Sequence, residues 1–180
     1  PYATNLPTYG VYGLGSTGRD NSGVVISNCN IYDNYSTAVT SSAVSINGNC
    51  SSWSILNNRI YQTAARTNTG SLLYTGIRVN SSTSGGFIIE GNYIGGADEL
   101  GNGVSSYSSG SAQYAGIHFW ATSSPVSSIT GNTIKNISFT SISASTAAQG
   151  VFSGIYVATI SGVNIQNNVV GANDVNGSIN

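Results

Sequence analysis

The sequence predicts an all-β solenoid of about five coils, on three observations. A short phrase recurs five times along the 180 residues, and a second phrase sits at a nearly constant distance ahead of four of its copies. The composition favours strands over helices: Ile (18) and Val (14) far exceed Leu (6). Ser, Thr, Asn and Gly together make up 90 residues, half the chain, and charged residues only 6%. A disordered chain of this polarity would carry more charge and fewer β-branched residues.

The recurring phrase reads Ile26-Ser27-Asn28-Cys29-Asn30-Ile31, Ile55-Leu56-Asn57-Asn58-Arg59-Ile60, Ile89-Glu90-Gly91-Asn92-Tyr93-Ile94, Ile129-Thr130-Gly131-Asn132-Thr133-Ile134 and Ile165-Gln166-Asn167-Asn168-Val169-Val170. Its starts are 29, 34, 40 and 36 residues apart. The third position is always Asn or Gly, the residues that adopt a left-handed backbone at least cost, so two short strands flank a tight corner. The fourth position is Asn in every copy but the first, where it is Cys29. Copies stacked at the spacing of neighbouring strands, about 4.8 Å, place Asn58, Asn92, Asn132 and Asn168 in a ladder of amides. The flanking Ile residues then form an inward aliphatic column.

The second phrase reads Ala43-Val44-Ser45-Ile46, Gly76-Ile77-Arg78-Val79, Gly116-Ile117-His118-Phe119 and Gly154-Ile155-Tyr156-Val157, with a weaker copy at Gly10-Val11-Tyr12-Gly13. Its alternation is that of a strand with one buried face. Each coil is therefore strand, turn, strand, Asn corner, strand, and a long loop to the next coil. Tyr61 to Thr75, Gly95 to Ala115 and Lys135 to Ser153 are those inter-coil loops, rich in Ser, Thr, Ala and Gly and expected to be exposed. A β-sandwich also uses Asn-Gly turns, but gives no reason for one hexapeptide to follow one strand at nearly fixed distance.

These residues resemble the right-handed parallel β-helix of the pectate-lyase-like superfamily, in which a two-residue corner with a stacked Asn joins the second and third sheets. Asn58, Asn92, Asn132 and Asn168 match that ladder and Cys29 departs from it. Gly91-Asn92-Tyr93-Ile94-Gly95-Gly96, Gly131-Asn132-Thr133-Ile134-Lys135-Asn136 and Gly154-Ile155-Tyr156-Val157 also resemble repeats of large secreted surface β-helix proteins of Bacteroidetes. The resemblance covers about residues 10 to 175. It implies an extracellular or cell-surface setting and an adhesin-like, seldom catalytic role. Residues 1–180 read as a single β-helix segment of a longer chain, its ends covered by the rest of that chain or by capping partners. Pro1-Tyr2-Ala3-Thr4 is no signal peptide, and the missing initiator Met is that of a processed or excised piece.

Catalysis in the superfamily commonly uses the outer face of the first sheet. Here that row is Tyr12, Ser45, Arg78, His118 and Tyr156. Arg78, His118 and Tyr156 are the candidate ligand-binding residues: aromatic faces for sugar rings, Arg for a uronate. Lyase-type and hydrolase-type members need carboxylates on that face, and glycoside hydrolysis needs two of them close together. Asp20, Asp33, Glu90, Asp98, Glu99 and Asp174 all fall elsewhere, Glu90 lying on the second sheet between Leu56 and Thr130. The reading is therefore a non-catalytic structural or adhesive segment, with a carbohydrate-binding or polysaccharide-lyase-like protein as the alternative. Ice binding would want regular Thr arrays, and Thr is scattered.

No cofactor is called for by any motif. Calcium is the one metal with a candidate site, at Asp98, Glu99 and Asn102, since only that Gly/Asn/Asp loop has two acids. The Ser16–Gly23 and Gly171–Gly177 loops are weaker versions. Five basic residues and a net charge of −1 exclude a phosphate-reading surface for nucleic acid, and no apolar run is long enough to span a membrane. Extracellular polysaccharide is the candidate ligand. A disulfide is the default for Cys29 and Cys50 in an oxidising setting, but the register sets them on different turns, a short strand apart. Five Asn-X-Ser/Thr triplets, at Asn34, Asn49, Asn80, Asn136 and Asn176, are near chance in such a composition.

Overall fold

The computed structural model describes residues 6–68, 70–81, 83–122, 124–142, 150–158 and 162–171. They form strands and turns without an α-helix. Three five-stranded parallel sheets dominate, and each takes one strand from every copy of the repeat. The first sheet consists of Tyr9–Gly15, Ser41–Gly48, Leu73–Ser81, Gln113–Ala121 and Phe152–Val157, paired in chain order. The weak first copy at Gly10 to Gly13 is thus a full member. The second sheet holds Val25–Ser27, Ser54–Leu56, Ile88–Glu90, Ser127–Thr130 and Val163–Gln166. The third holds Asn30–Tyr32, Arg59–Tyr61, Tyr93–Ile94, Thr133–Ile134 and Val169–Val170.

The corner between the second and third sheets forms as its residue types require. Asn28, Asn57 and Asn167 have φ of 54°, 54° and 55°, and Gly91 and Gly131 have φ of 64° and 62°. All five third positions are left-handed, where only Asn, Asp and Gly are inexpensive. That turn aims the next side chain inward. Asn58, Asn92 and Asn132 are at most 1% exposed.

Their amides bond one another along the stack. Asn92 Oδ1 accepts from the backbone N–H and from Nδ2 of Asn58, both at 3.0 Å. Asn132 Oδ1 accepts the same pair from Asn92, and Asn168 Oδ1 from Asn132, at 2.9–3.0 Å. Each Nδ2 also donates to the carbonyl of the Ile that opens the previous copy: Ile26, Ile55, Ile89 and Ile129. The amides of Asn92 and Asn132 thus fill both acceptor and both donor positions. At the early end, Asn58 Oδ1 accepts, among the described residues, only the Cys29 N–H, at 3.0 Å.

The register brings like residues together. Ile26, Ile55, Ile89, Ile129 and Ile165 are paired neighbours in the second sheet, and Ile31, Ile60, Ile94, Ile134 and Val170 in the third. With Val44, Ile46, Ile77, Val79, Ile117 and Phe119 of the first sheet the first four of each column make one core, to which Trp53 and Phe87 belong; Ile165 and Val170, in the last copy, are exposed. The first and third sheets touch at glycine. A Cβ on Gly76 would sit 2.9 Å from Ile94 Cγ2, and one on Gly116 2.9 Å from Ile134 Cδ1. The recurrent glycine of the second phrase makes room for the Ile column.

The inter-coil segments correct the expectation of plain exposed loops. Arg66–Asn68, Ser105–Ser109 and Ile137–Ser141 are strands of a further three-stranded parallel sheet. Tyr107 and Phe139 are its paired inward residues. They pack on Tyr74, Tyr114 and Phe152, which stack in the first sheet with centroids 5.6 and 5.2 Å apart. Desolvation holds the Tyr74, Tyr107 and Tyr114 hydroxyls above the usual phenol pKa. Arg66, 7% exposed, pairs with Asp33 and donates from Nε to Gln62 Oε1 at 2.6 Å, while Gln62 Nε2 donates to the Tyr74 hydroxyl at 2.9 Å. A small parallel pair, Asn21–Ser22 with Cys50–Ser51, closes the turn before the second sheet. Both cysteines are free, Cys29 exposed and Cys50 buried, so the default disulfide does not form.

Replacing Asn92 by Ala leaves the Asn58 N–H and one Asn58 Nδ2–H buried without partners, while the Ile55 carbonyl keeps its place in the second-sheet ladder. At about 1–3 kcal/mol for each such group, the expected loss is at least about 2 kcal/mol. Cys29→Asn extends the chain of amides by one unit and should add about 0.5–1.5 kcal/mol. Equilibrium urea unfolding measures both; equal stability of Asn92→Ala and wild type would contradict the assignment.

Candidate functional site

Period-two alternation places the second residue after each first-sheet glycine (in the second copy, after Ala43) on the face away from the core. Register pairs join Tyr12 to Ser45, Ser45 to Arg78, Arg78 to His118 and His118 to Tyr156. The sequence-predicted row is therefore one continuous line of side chains. Its character is uneven. Tyr12 is 51% exposed, Ser45 fully buried, and Arg78, His118 and Tyr156 half-buried.

The three candidate residues are adjacent. The His118 and Tyr156 rings lie 5.1 Å apart, inclined at 46°. His118 Nδ1 and Arg78 Nε are both shielded from solvent and bond no protein group. Burial, and then the Arg78 charge beside it, lower the His118 pKa from its ordinary value, so the imidazole is neutral at pH 7. A fixed guanidinium, a neutral ring and a phenol can bind an oxygen-rich or anionic ligand. Among the described residues no carboxylate joins them: the one ion pair is Arg66–Asp33, away from this row, and Glu90 is exposed on the second sheet between Leu56 and Thr130.

A second outward row, outside the sequence-predicted candidates, lies two residues further along. Leu14, Asn47, Asn80 and Trp120 are paired neighbours there. Trp120 is 45% exposed and Leu14 59%. The signal was the same alternation carried one step on. Asn47 Nδ2 donates to Ser45 Oγ at 2.9 Å, which ties the two rows together.

The Asp98, Glu99 and Asn102 loop is an Asp-capped turn. Asp98 Oδ1 accepts the backbone N–H of Leu100 and of Asn102 at 2.9 and 2.8 Å, and Oδ2 accepts Asn102 Nδ2 at 3.0 Å. The bond from the Asn102 side chain, helped by those from the backbone, holds the Asp98 carboxyl below its usual pKa. Both oxygens are engaged in the turn, and Asn102 presents its nitrogen to them. Glu99 is exposed. Among the described residues no three His, Cys, Asp or Glu side chains stand together as a metal cluster. In the Ser16–Gly23 loop Asp20 is exposed beside a Ser16–Arg19 bridge. The Gly171–Gly177 loop, apart from Gly171, lies outside the described residues, as do Asp174 and the Asn176 triplet. Asn34 and Asn136 of the other triplets are buried.

No protein-family model, no curated protein and no solved structure matches the chain.

His118 gives a pH signature. A base whose pKa is lower folded than unfolded binds protons more readily in the unfolded chain, so stability rises with pH through that window. Stability should therefore fall as pH drops below about 6.5, the ordinary imidazole value, and level off below the folded pKa. Thermal unfolding between about pH 5 and 8 should show this slope in wild type and its loss in His118→Gln.

Proposed function

We propose that the chain is a stretch of right-handed parallel β-helix, a solenoid of about five coils with an asparagine ladder, similar to the pectate-lyase-like superfamily. We propose that it serves as a non-catalytic structural and adhesive segment of a secreted or cell-surface protein. One observation carries this reading: five copies of one unit contribute, in register, to three parallel sheets, with the corner amides bonded from copy to copy. Such an arrangement gives length and stiffness and displays the segments between the third and first sheets. The remainder of a longer chain, or capping proteins, would be its partners at the ends of the stack. The lack of any carboxylate on the described outer face of the first sheet supports the non-catalytic reading.

The second reading is a carbohydrate-binding protein that uses that face. Arg78 beside His118 and Tyr156, with Trp120 exposed in the next row, offers aromatic faces for sugar rings and a cation for a uronate.

A panel of extracellular polysaccharides, tested for binding and for new reducing ends or unsaturated products, separates the two. The structural reading expects no turnover and no binding that depends on Arg78. The second expects retention of acidic glycans that drops about tenfold or more in Arg78→Ala, the loss of one charge-assisted contact. Turnover of any glycan would overturn both.

A further inference from the structure

Three Asn-Gly pairs occur in the sequence, at 47–48, 102–103 and 176–177, the last outside the described residues. In such a pair the glycine nitrogen, unshielded by a Cβ, can reach the asparagine side-chain carbonyl carbon when its N–H is unbonded and the backbone is free to turn. The two described pairs differ in this respect.

Asn47-Gly48 lies within the first-sheet strand Ser41–Gly48, flanked by Tyr9–Gly15 on one side and Leu73–Ser81 on the other. Gly48 packs against the Gly15 carbonyl so closely that a Cβ would collide with it. Asn47 Nδ2 is held by Ser45 Oγ. Asn102-Gly103 lies in the turn from Gly96 to Ser105. Both residues are exposed, Gly103 has φ of 66°, and its N–H donates to no group in the described structure. What restrains the pair is Asp98, which holds the Asn102 backbone N–H and its Nδ2 at 2.8 and 3.0 Å.

We infer that Asn102–Gly103 is a self-modification site at which the chain converts its own asparagine, with Asp98 as the latch that sets the rate. The Gly103 nitrogen forms a bond to Asn102 Cγ, and the Cγ–Nδ2 bond breaks. The Gly103 amide proton leaves with that nitrogen as ammonia. Water then opens the cyclic imide at either carbonyl, giving aspartate or isoaspartate at position 102. No oxidant or cofactor enters the balance.

The product cannot keep the turn. The Nδ2 donor to Asp98 is gone, and a carboxylate stands where it was, facing the Asp98 carboxylate at hydrogen-bond range. Isoaspartate also lengthens the main chain at the residue whose carbonyl accepts the Ala97 N–H. The loop reaches the third sheet through the Gly101 carbonyl, which accepts the Tyr93 hydroxyl at 3.1 Å and Asn136 Nδ2 at 2.7 Å. That contact loosens on conversion, so the site works as a one-way local release.

Peptide mapping by mass spectrometry during incubation of the purified chain at mildly alkaline pH tests this. The amide-to-acid mass gain should appear at Asn102 about tenfold or more ahead of Asn47, the factor that one net hydrogen bond of the sheet corresponds to. Asp98→Ala should speed conversion at Asn102 and leave Asn47 unchanged. Asn102→Asp should raise hydrogen exchange in the Tyr93–Ser105 segment while the first sheet keeps its protection. Conversion at Asn47 as fast as at Asn102, or an Asp98→Ala rate no higher than wild type, would overturn the assignment. Unchanged exchange in Asn102→Asp would overturn the release.

Discussion

The hydrogen bonds between the side-chain amides of Asn58, Asn92, Asn132 and Asn168 set the position of nearly everything else. Asn58, Asn92 and Asn132 are each bonded to three places at once: the next amide, the backbone N–H of the copy before, and the carbonyl of that copy's first Ile. A slip by one residue would break all of these and turn the Ile columns outward, because side chains alternate with a period of two. The buried Asn92 and Asn132 amides, with both acceptor and both donor positions filled, also leave no low-cost alternative, since an unpaired one is penalised in full. The left-handed residue before each Asn is the local condition for this, and the glycine column of the first sheet is the distant one.

A second, less regular layer sits between the first sheet and the inserted strands. Tyrosine rings fill it, and their hydroxyls stay protonated because burial penalises the phenolate. The buried Arg66 is tolerated because Asp33 and Gln62 take up its donors, and Asp33 is itself held by Thr63. This layer is specific to its copies: Arg66, Gln62 and Asp33 have no counterparts in the later repeats. It anchors the inserted sheet where no repeated motif could.

What the sequence made legible follows the same division. The corner hexapeptide and the alternating strand could be read because each copy obeys the same stereochemical demand, and the row Tyr12, Ser45, Arg78, His118, Tyr156 followed from their spacing. The inserted strands were hidden. Ser105-Ser106-Tyr107-Ser108-Ser109 has one inward aromatic and no aliphatic alternation, and its partner Arg66-Thr67-Asn68 has none at all. Their pairing comes from tertiary packing of Tyr107 and Phe139 against Tyr74 and Tyr114, which single-segment patterns do not carry. Trp120 was equally visible in the pattern but stood one row beyond the candidates. The acids of the Asp98 turn are legible in its composition, whereas its hydrogen bonds depend on how the turn closes.

The spacing between copies varies from 29 to 40 residues, yet paired positions in the second and third sheets never drift. Measurement along the stack is thus assigned to six residues, and the remaining length is free of that duty. The molecule separates a ruler from its freight. Segments can be lengthened, exchanged or grafted between the third sheet and the next first-sheet strand, and the graduations stay where they are.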